Sequence, residues 1–219
     1  MIQGLNMDRS QRVVIETAAM DWEPSPAAGV WRKKLERAGR ESGQVTSVVR
    51  YAPDSRFSEH AHPLGEELFV LSGVFADENG VYPAGTYLRN PPGSRHSPFS
   101  EQGCELLVKL DQFDPDDGQR VCIQTAEEGW YPGLVPGLTV MPLHSFGVEN
   151  TALVRWAAGT EFKPHTHPGG EEIFVLQGTF EDEEGVYPEG AWLRNPRWSR
   201  HTPFSREGCT IFVKTGFIR

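Results

Sequence analysis

The stretch HAHPLGEELFVLSG (60–73) returns 105 residues later as HTHPGGEEIFVLQG (165–178). Each copy opens on a His-x-His pair, turns at Pro and Gly, passes two glutamates and enters an apolar run that ends at Gly. Working outward, 46–110 aligns with 151–215 without a gap, and 37 of the 65 positions are identical. Upstream the shift becomes 108, because RVVIETAAMDW (12–22) matches RVCIQTAEEGW (120–130). A three-residue difference around 36–46 reconciles the two shifts. The period is too long for a solenoid unit and suits a duplicated small domain. The expected division is 1–112 (module core 12–110) and 113–219 (module core 120–215), with the acidic DQFDPDDGQ (111–119) as linker.

Within each copy the pattern is one of short strands broken by turns. TSVVRY (46–51) and TALVRW (151–156) are β-branched and aromatic runs of strand length. ELFVLSG (67–73) and EIFVLQG (172–178) are apolar on both faces, so both faces should be covered. DENGVYPAG (77–85) and DEEGVYPEG (182–190) are turn clusters. WRKKLERAG (31–39) is the best helix candidate, yet its repeat mate TVMPLHSFG (139–147) contains Pro142 and reads as strand. The fold class that follows is all-β, two tandem sandwiches or barrels of jelly-roll type.

Composition narrows the function. The chain has 219 residues with 23 Gly and 17 Pro, which disfavours a helix bundle, and a net charge of −9, which disfavours a phosphate-backbone binder. No apolar run approaches the roughly 20 residues needed to span a bilayer, and MIQGLNMDRS lacks a signal-peptide core. Three cysteines cannot all pair, so reduced thiols and a cytoplasmic location are expected. Neither nucleic acid nor membrane is an expected partner; a homodimer is compatible.

Six of the seven histidines fall at repeat-equivalent places: His60/His165, His62/His167 and His96/His201. Residues i and i+2 of a strand share a face, so each His-x-His pair aims two imidazoles at one point. The following turn brings Glu66 or Glu171 back beside them, and His96 or His201 closes the set after another turn. Three imidazoles and one carboxylate suit a divalent transition metal, with one or two coordination positions left open. Surface histidines, or a metal-free polar cluster, are the bland alternative. A four-residue set that occurs twice argues against it.

The pattern H-x-H-x3-E-x6-G, then G-x5-P-x-G-x2-H, resembles the two cupin motifs. His60, His62, Glu66 and Gly73 carry the first motif in copy one, and Gly85, Pro91, Gly93 and His96 the second. His165, His167, Glu171, Gly178, Gly190, Pro196 and His201 repeat them. With HPxGEE and LRNP..SRH, the chain is most similar to the ChrR-like cupins, the C-terminal domain of ChrR-type anti-sigma factors. The resemblance implies two tandem cupin double-stranded β-helix barrels. It implies a metal at each centre, zinc first and iron, manganese or nickel as alternatives. Asp54 stands where copy two has Gly159, Trp198 replaces Gly93, and neither copy has the Asn that often ends the second motif. The helical anti-sigma domain of that family carries a His-x3-Cys-x2-Cys motif, and nothing before residue 60 contains His or Cys. Direct sigma-factor sequestration is therefore not expected here.

The remaining polar residues read mostly as structural. Alternation turns Glu67 and Glu172 away from the metal, behind its ligands or, the favoured reading, into solvent, and Arg95 and Arg200 likewise point off-axis, where they would pair with Glu67 or Glu172, the favoured reading, or with an anionic ligand at the rim. Arg89-Asn90 and Arg194-Asn195 precede Pro-led turns. Cys104, Cys209 and Cys122 read as small core residues, and His144 as surface or core. No catalytic residue emerges beyond the metal sets. The functional expectation is a metal-binding bicupin that holds a small ligand in a regulatory or sensory role, with a protein partner in a sigma-factor pathway by resemblance only. The alternative is an Fe-type dioxygenase acting on a small diketone or hydroxyketone.

Overall fold

In the computed structural model, residues 4–39 and 43–218 are described. The strand pairings among them are antiparallel, and no α-helix occurs; the one helical turn is the 3-10 segment Thr17–Ala19. WRKKLERAG lies in the strand Val30–Arg37 and TVMPLHSFG in Leu138–Phe146, so the proline-bearing copy was the better guide to both.

Contacts divide the chain into one unit of residues 4–7 and 20–128 and another of 8–19 and 129–218. In the first unit the main sheet runs Val121–Gln124, Thr86–Asn90, Glu66–Asp77, Cys104–Leu110, Val45–Tyr51, Val30–Arg37 and Glu23–Pro24. The far half of Glu66–Asp77 leaves that sheet at Gly73 and pairs with Gly80–Pro83 and Phe99. Gly73 has φ of 72°, and a Cβ there would sit 2.0 Å from the Gly103 carbonyl oxygen. Only glycine fits so close a corner in a left-handed conformation. The short strands His60–His62 and Ser94–His96 pair with each other at the barrel mouth. Residues 66–70 are buried throughout, as a doubly covered strand requires. Leu68, Val70, Phe75, Tyr82, Leu88, Leu106 and Val108 form the barrel core. At about 1.5–3 kcal/mol per buried large side chain, this core dominates the unit's stability.

The second unit repeats the plan: Ile173, Val175, Phe180, Tyr187, Leu193 and Ile211 fill its core, and Gly178 takes the corner with φ of 74°.

The division differs from a single cut near residue 112 in a specific way. Val13–Glu16 pairs with Ala191–Asn195, and Val121–Gln124 pairs with Thr86–Asn90, so each unit contains the leading strand of the other copy. The segment 111–119 is also not a free linker. Phe113 is buried under the Arg89 guanidinium, and buried Asp117 accepts a 2.5 Å hydrogen bond from Arg89.

Candidate metal centres

Strand period and one turn assemble the first centre. His60 and His62 lie on one face of a three-residue strand, and its register sets His60 opposite His96 and His62 opposite Ser94. The turn Pro63–Gly65 then returns the chain to Glu66, the first residue of the long strand. The three imidazole centroids stand 4.8 to 5.0 Å apart. Nε2 of His62 lies 3.0 Å from Nε2 of His96, and Glu66 Oε2 lies 3.7 and 3.6 Å from those two nitrogens.

The second centre matches it. Its centroids stand 4.6 to 5.0 Å apart, His167 Nε2 lies 3.0 Å from His201 Nε2, and Glu171 oxygens approach both at 3.5 Å. The structure thus brings together both histidine triads that the sequence proposed, with one ligand atom per histidine within 4.8 Å of the others.

The donor set fits a divalent cation. Two imidazole nitrogens that share a 3.0 Å approach repel unless a proton or a cation lies between them. Nitrogens held at about 2.1 Å from one ion, at right angles, lie roughly 3.0 Å from each other. Three of the outer nitrogens, those of His60, His165 and His96, are tied off by hydrogen bonds, as ligation requires. His60 Nδ1 donates to the Ser58 carbonyl at 2.9 Å and His165 Nδ1 to the Lys163 carbonyl at 3.0 Å, leaving each Nε2 lone pair for the centre. His96 Nδ1 donates to Asp77 Oδ2 at 3.1 Å, while Asp182 Oδ2 lies 3.6 Å from His201 Nδ1. Such partners set the tautomer and raise ligand basicity.

Electrostatics follow from burial and these pairs. Burial, with His96 and His60 nearby, holds the His62 pKa below its usual value despite Glu66. Burial and the neighbouring His201 and His165 drive His167 down to about 3. At His96 burial also disfavours the charged form, but Asp77 and Glu66 outweigh it and raise the pKa; Asp182 and Glu171 do the same for His201. Burial raises the Glu171 carboxyl, opposed by His201 and the Asn195 amide.

Several residues were missed or misread from sequence. Asp77 and Asp182 read as turn formers but reach back to the third histidine. Asn90 and Asn195 donate to the carboxylates beside the histidines, at 2.9 Å to Glu66 and 3.0 Å to Glu171, so they position the carboxylate rather than cap a turn. Their one signal was identity between the copies. Glu67 and Glu172 are buried, not solvated: Glu67 accepts from Tyr87 and Arg89, and Glu172 from the Trp192 indole. Arg95 and Arg200 do not pair with them. Both are exposed, and Arg95 reaches Glu59 at 3.8 Å. Cys104 and Cys209 are buried with thiols pushed up to about 11, whereas Cys122 is exposed, contrary to a core role. His144 is buried.

A cavity of about 400 Å³ in the first unit reaches His60, His62 and Glu66 and is lined by Tyr51, Phe57, Phe75 and Leu106 among others. That volume suits a small organic molecule. Burial, with Glu66 close by, pushes the Tyr51 phenol well above its usual pKa.

A family model described as the ChrR cupin-like domain matches residues 10–114 and again 118–219. The chain belongs to the ChrR cupin-like family. No curated protein matches it in sequence. Among solved structures it is similar to a putative dioxygenase from Nostoc punctiforme, at 16% identity and TM-score 0.79, covering 93% of this chain and 82% of that one. Protein Ylba from E. coli is similar at 15% identity and TM-score 0.72, covering 94% and 91%. A mutant of Bacillus subtilis oxalate decarboxylase OxdC follows at 13% identity and TM-score 0.65, covering 94% and 77%. These likenesses confirm tandem cupin barrels, the jelly-roll fold expected from the sequence. Among the described residues no helix is long and apolar enough to cross a membrane.

Proposed function

We propose that this bicupin holds one divalent metal ion per barrel through His60, His62, Glu66 and His96, and through His165, His167, Glu171 and His201. Its N-terminal centre takes a small molecule, in a regulatory or sensory role. The observation that carries the reading is the cavity that opens onto His60, His62 and Glu66. A structural ion fills its shell with protein ligands, whereas three histidines and a carboxylate beside a cavity leave room for another donor.

The ion would supply Lewis acidity to a bound oxygen donor. The chain's own residues do the rest. Asp77 fixes the His96 tautomer, Asn90 orients Glu66, and Phe57 and Phe75 wall the site against water. Tyr51, protonated at neutral pH, presents a hydroxyl to the ligand near Glu66. Zinc is the metal proposed first, the cytoplasm the location, and a protein of a sigma-factor pathway the partner that reads the ligand state.

A second reading, an Fe-type dioxygenase for a small diketone or hydroxyketone, draws support from the open centre together with the apolar cavity. Metal analysis of protein purified without added metal, combined with oxygen uptake on a β-diketone panel, separates the two. Zinc with no oxygen uptake is the expected result. Iron with substrate-dependent oxygen consumption would replace the sensor by the enzyme.

A further inference from the structure

Arg12 and Arg120 hold the same place in the two copies, but only Arg12 is tied down. In the second unit Arg12 reaches Glu184 at 2.7 Å, Asn195 Oδ1 at 3.0 Å and Asp182 Oδ2 at 3.3 Å, and donates to the Tyr187 hydroxyl. The counterparts of those four residues in the first unit are Asn79, Asn90, Asp77 and Tyr82. Asn79 thus removes the carboxylate that Glu184 supplies. Asp77 spends its oxygens on His96, on the Asn79 and Gly80 amides and on the Tyr82 hydroxyl. Arg120 makes no hydrogen bond or ion pair with any described residue.

This arginine lines a cavity of about 240 Å³ in the first unit, together with Asn79, Ser94 and Arg95, beside His62 and His96. His62 is the one described residue that it shares with the larger cavity, so the two are separate spaces. No acidic side chain stands among its described lining residues. The nearby acids are committed elsewhere: Asp77 as above, Glu66 to the Asn90 amide and Glu78 to the Ser97 backbone amide. Arg95 lies 3.8 Å from Glu59, both side chains largely exposed, and a surface pair of that kind is weak enough to yield to a ligand. The Ser94 hydroxyl is buried with no hydrogen-bond partner, which is costly unless something polar meets it. Ser199 repeats that hydroxyl, so what distinguishes the units is the arginine, clamped in one and unpaired in the other.

Charge and shape say which occupant. Two guanidinium groups without an acidic partner in the lining call for a double negative charge, and their planar forks of N–H donors match phosphate oxygens. A hydroxyl donor beside them serves a third oxygen. We propose that this cavity binds a phosphate-type dianion, free or as the head of a small monoester, held by Arg120 and Arg95 with the Ser94 hydroxyl donating. The second unit, where Glu184 occupies the arginine, lacks the site. The site lies outside the metal-ligand sets proposed above and does not depend on them.

The test is calorimetric titration of the full chain at low ionic strength with inorganic phosphate, glycerol 3-phosphate and acetate, before and after zinc is added. One equivalent of phosphate per chain is expected in both states, at least tenfold tighter than acetate and weakening as salt rises. Asn79→Glu, which installs the residue of the second unit and so is compatible with the fold, should clamp Arg120 and weaken phosphate at least tenfold. Arg120→Gln should do the same, and zinc uptake should be unchanged in both variants. Tighter binding of glycerol 3-phosphate would support the site with a monoester as its ligand, and the reverse order would support it with the free ion. No binding, two equivalents, acetate bound as tightly, binding only once zinc is present, or variants that bind like the parent would each overturn the proposal. A chain that takes up no zinc yet binds phosphate through Arg120 would overturn the metal reading and uphold this one.

Discussion

Asp77 is a single residue with a large expected effect. Its carboxylate accepts from His96 Nδ1, from the Asn79 amide at 2.8 Å and from the Tyr82 hydroxyl at 3.0 Å, and these contacts outweigh burial to keep its pKa low. Asp77→Asn should cost the first centre about 10–100-fold in metal affinity while the second keeps its own, read by zinc titration. Equal loss at both centres would contradict this local role. The histidines themselves give a pH signature. In the metal-free chain His167 titrates near 3 when folded, against about 6.5 unfolded, so the unfolded state takes up that proton first. Stability from His167 is therefore lost as pH falls from about 6.5 toward 3. The raised pKa of His201 acts in the opposite sense, adding stability at low pH that fades as pH rises through its folded value, but the His167 displacement is the large one. The thermal midpoint of the metal-free chain should drop between pH 6.5 and 4, and His167→Gln should flatten that drop. An unchanged slope would refute the assignment. The clustering of the histidines and the glutamate was legible because His-x-His and Glu sit a strand period and a turn apart. Asp77 and Asn90 were not, because their partners lie 19 and 24 residues away across pairings that no local spacing encodes.

At the level of strands and turns, the two departures from the motif pattern have one physical meaning. Asp54 and Trp198 both hold positive φ, 58° and 63°, where the other copy has Gly159 and Gly93 in the same left-handed region. Left-handed backbone costs a residue with a Cβ about 1–2 kcal/mol, and less for Asp, whose side chain can bond locally. Trp198 is 66% exposed, so little packing offsets its strain. Trp198→Gly should raise the thermal midpoint of the second unit, and Asp54→Gly should raise that of the first by less. A lowered midpoint for Trp198→Gly would show that the indole has a packing role after all. The long strand explains the misreading of Glu67. Alternation correctly turned it from the histidine cluster, but the outer face is covered, and a buried Arg89 between Glu67 and Asp117 replaces the water assumed there. Sequence period assigns a face; it does not say what lies on that face.

Across the whole chain, the duplication was legible down to the residue because the copies align without a gap through their cores, whereas unit membership was not. Alignment says which segments are equivalent, not which sheet each joins. Val13–Glu16 serves the second unit, and from beside it Arg12 reaches Asn195 Oδ1 at 3.0 Å, Asp182 Oδ2 at 3.3 Å and Glu184 at 2.7 Å. Arg12 therefore supports the two residues that back the C-terminal centre. Removing residues 1–19 should unpair the edge of Ala191–Asn195, destabilise the second unit and weaken its metal first, in differential unfolding followed with zinc release. Intact binding at the second centre in that shortened chain would count against the exchange. The most direct test of the account is metal stoichiometry in the full chain and in two single variants. Two equivalents per chain, falling to one in His62→Ala and to one in His167→Ala, is the result expected; a parent without metal, or either variant retaining both equivalents, would contradict it.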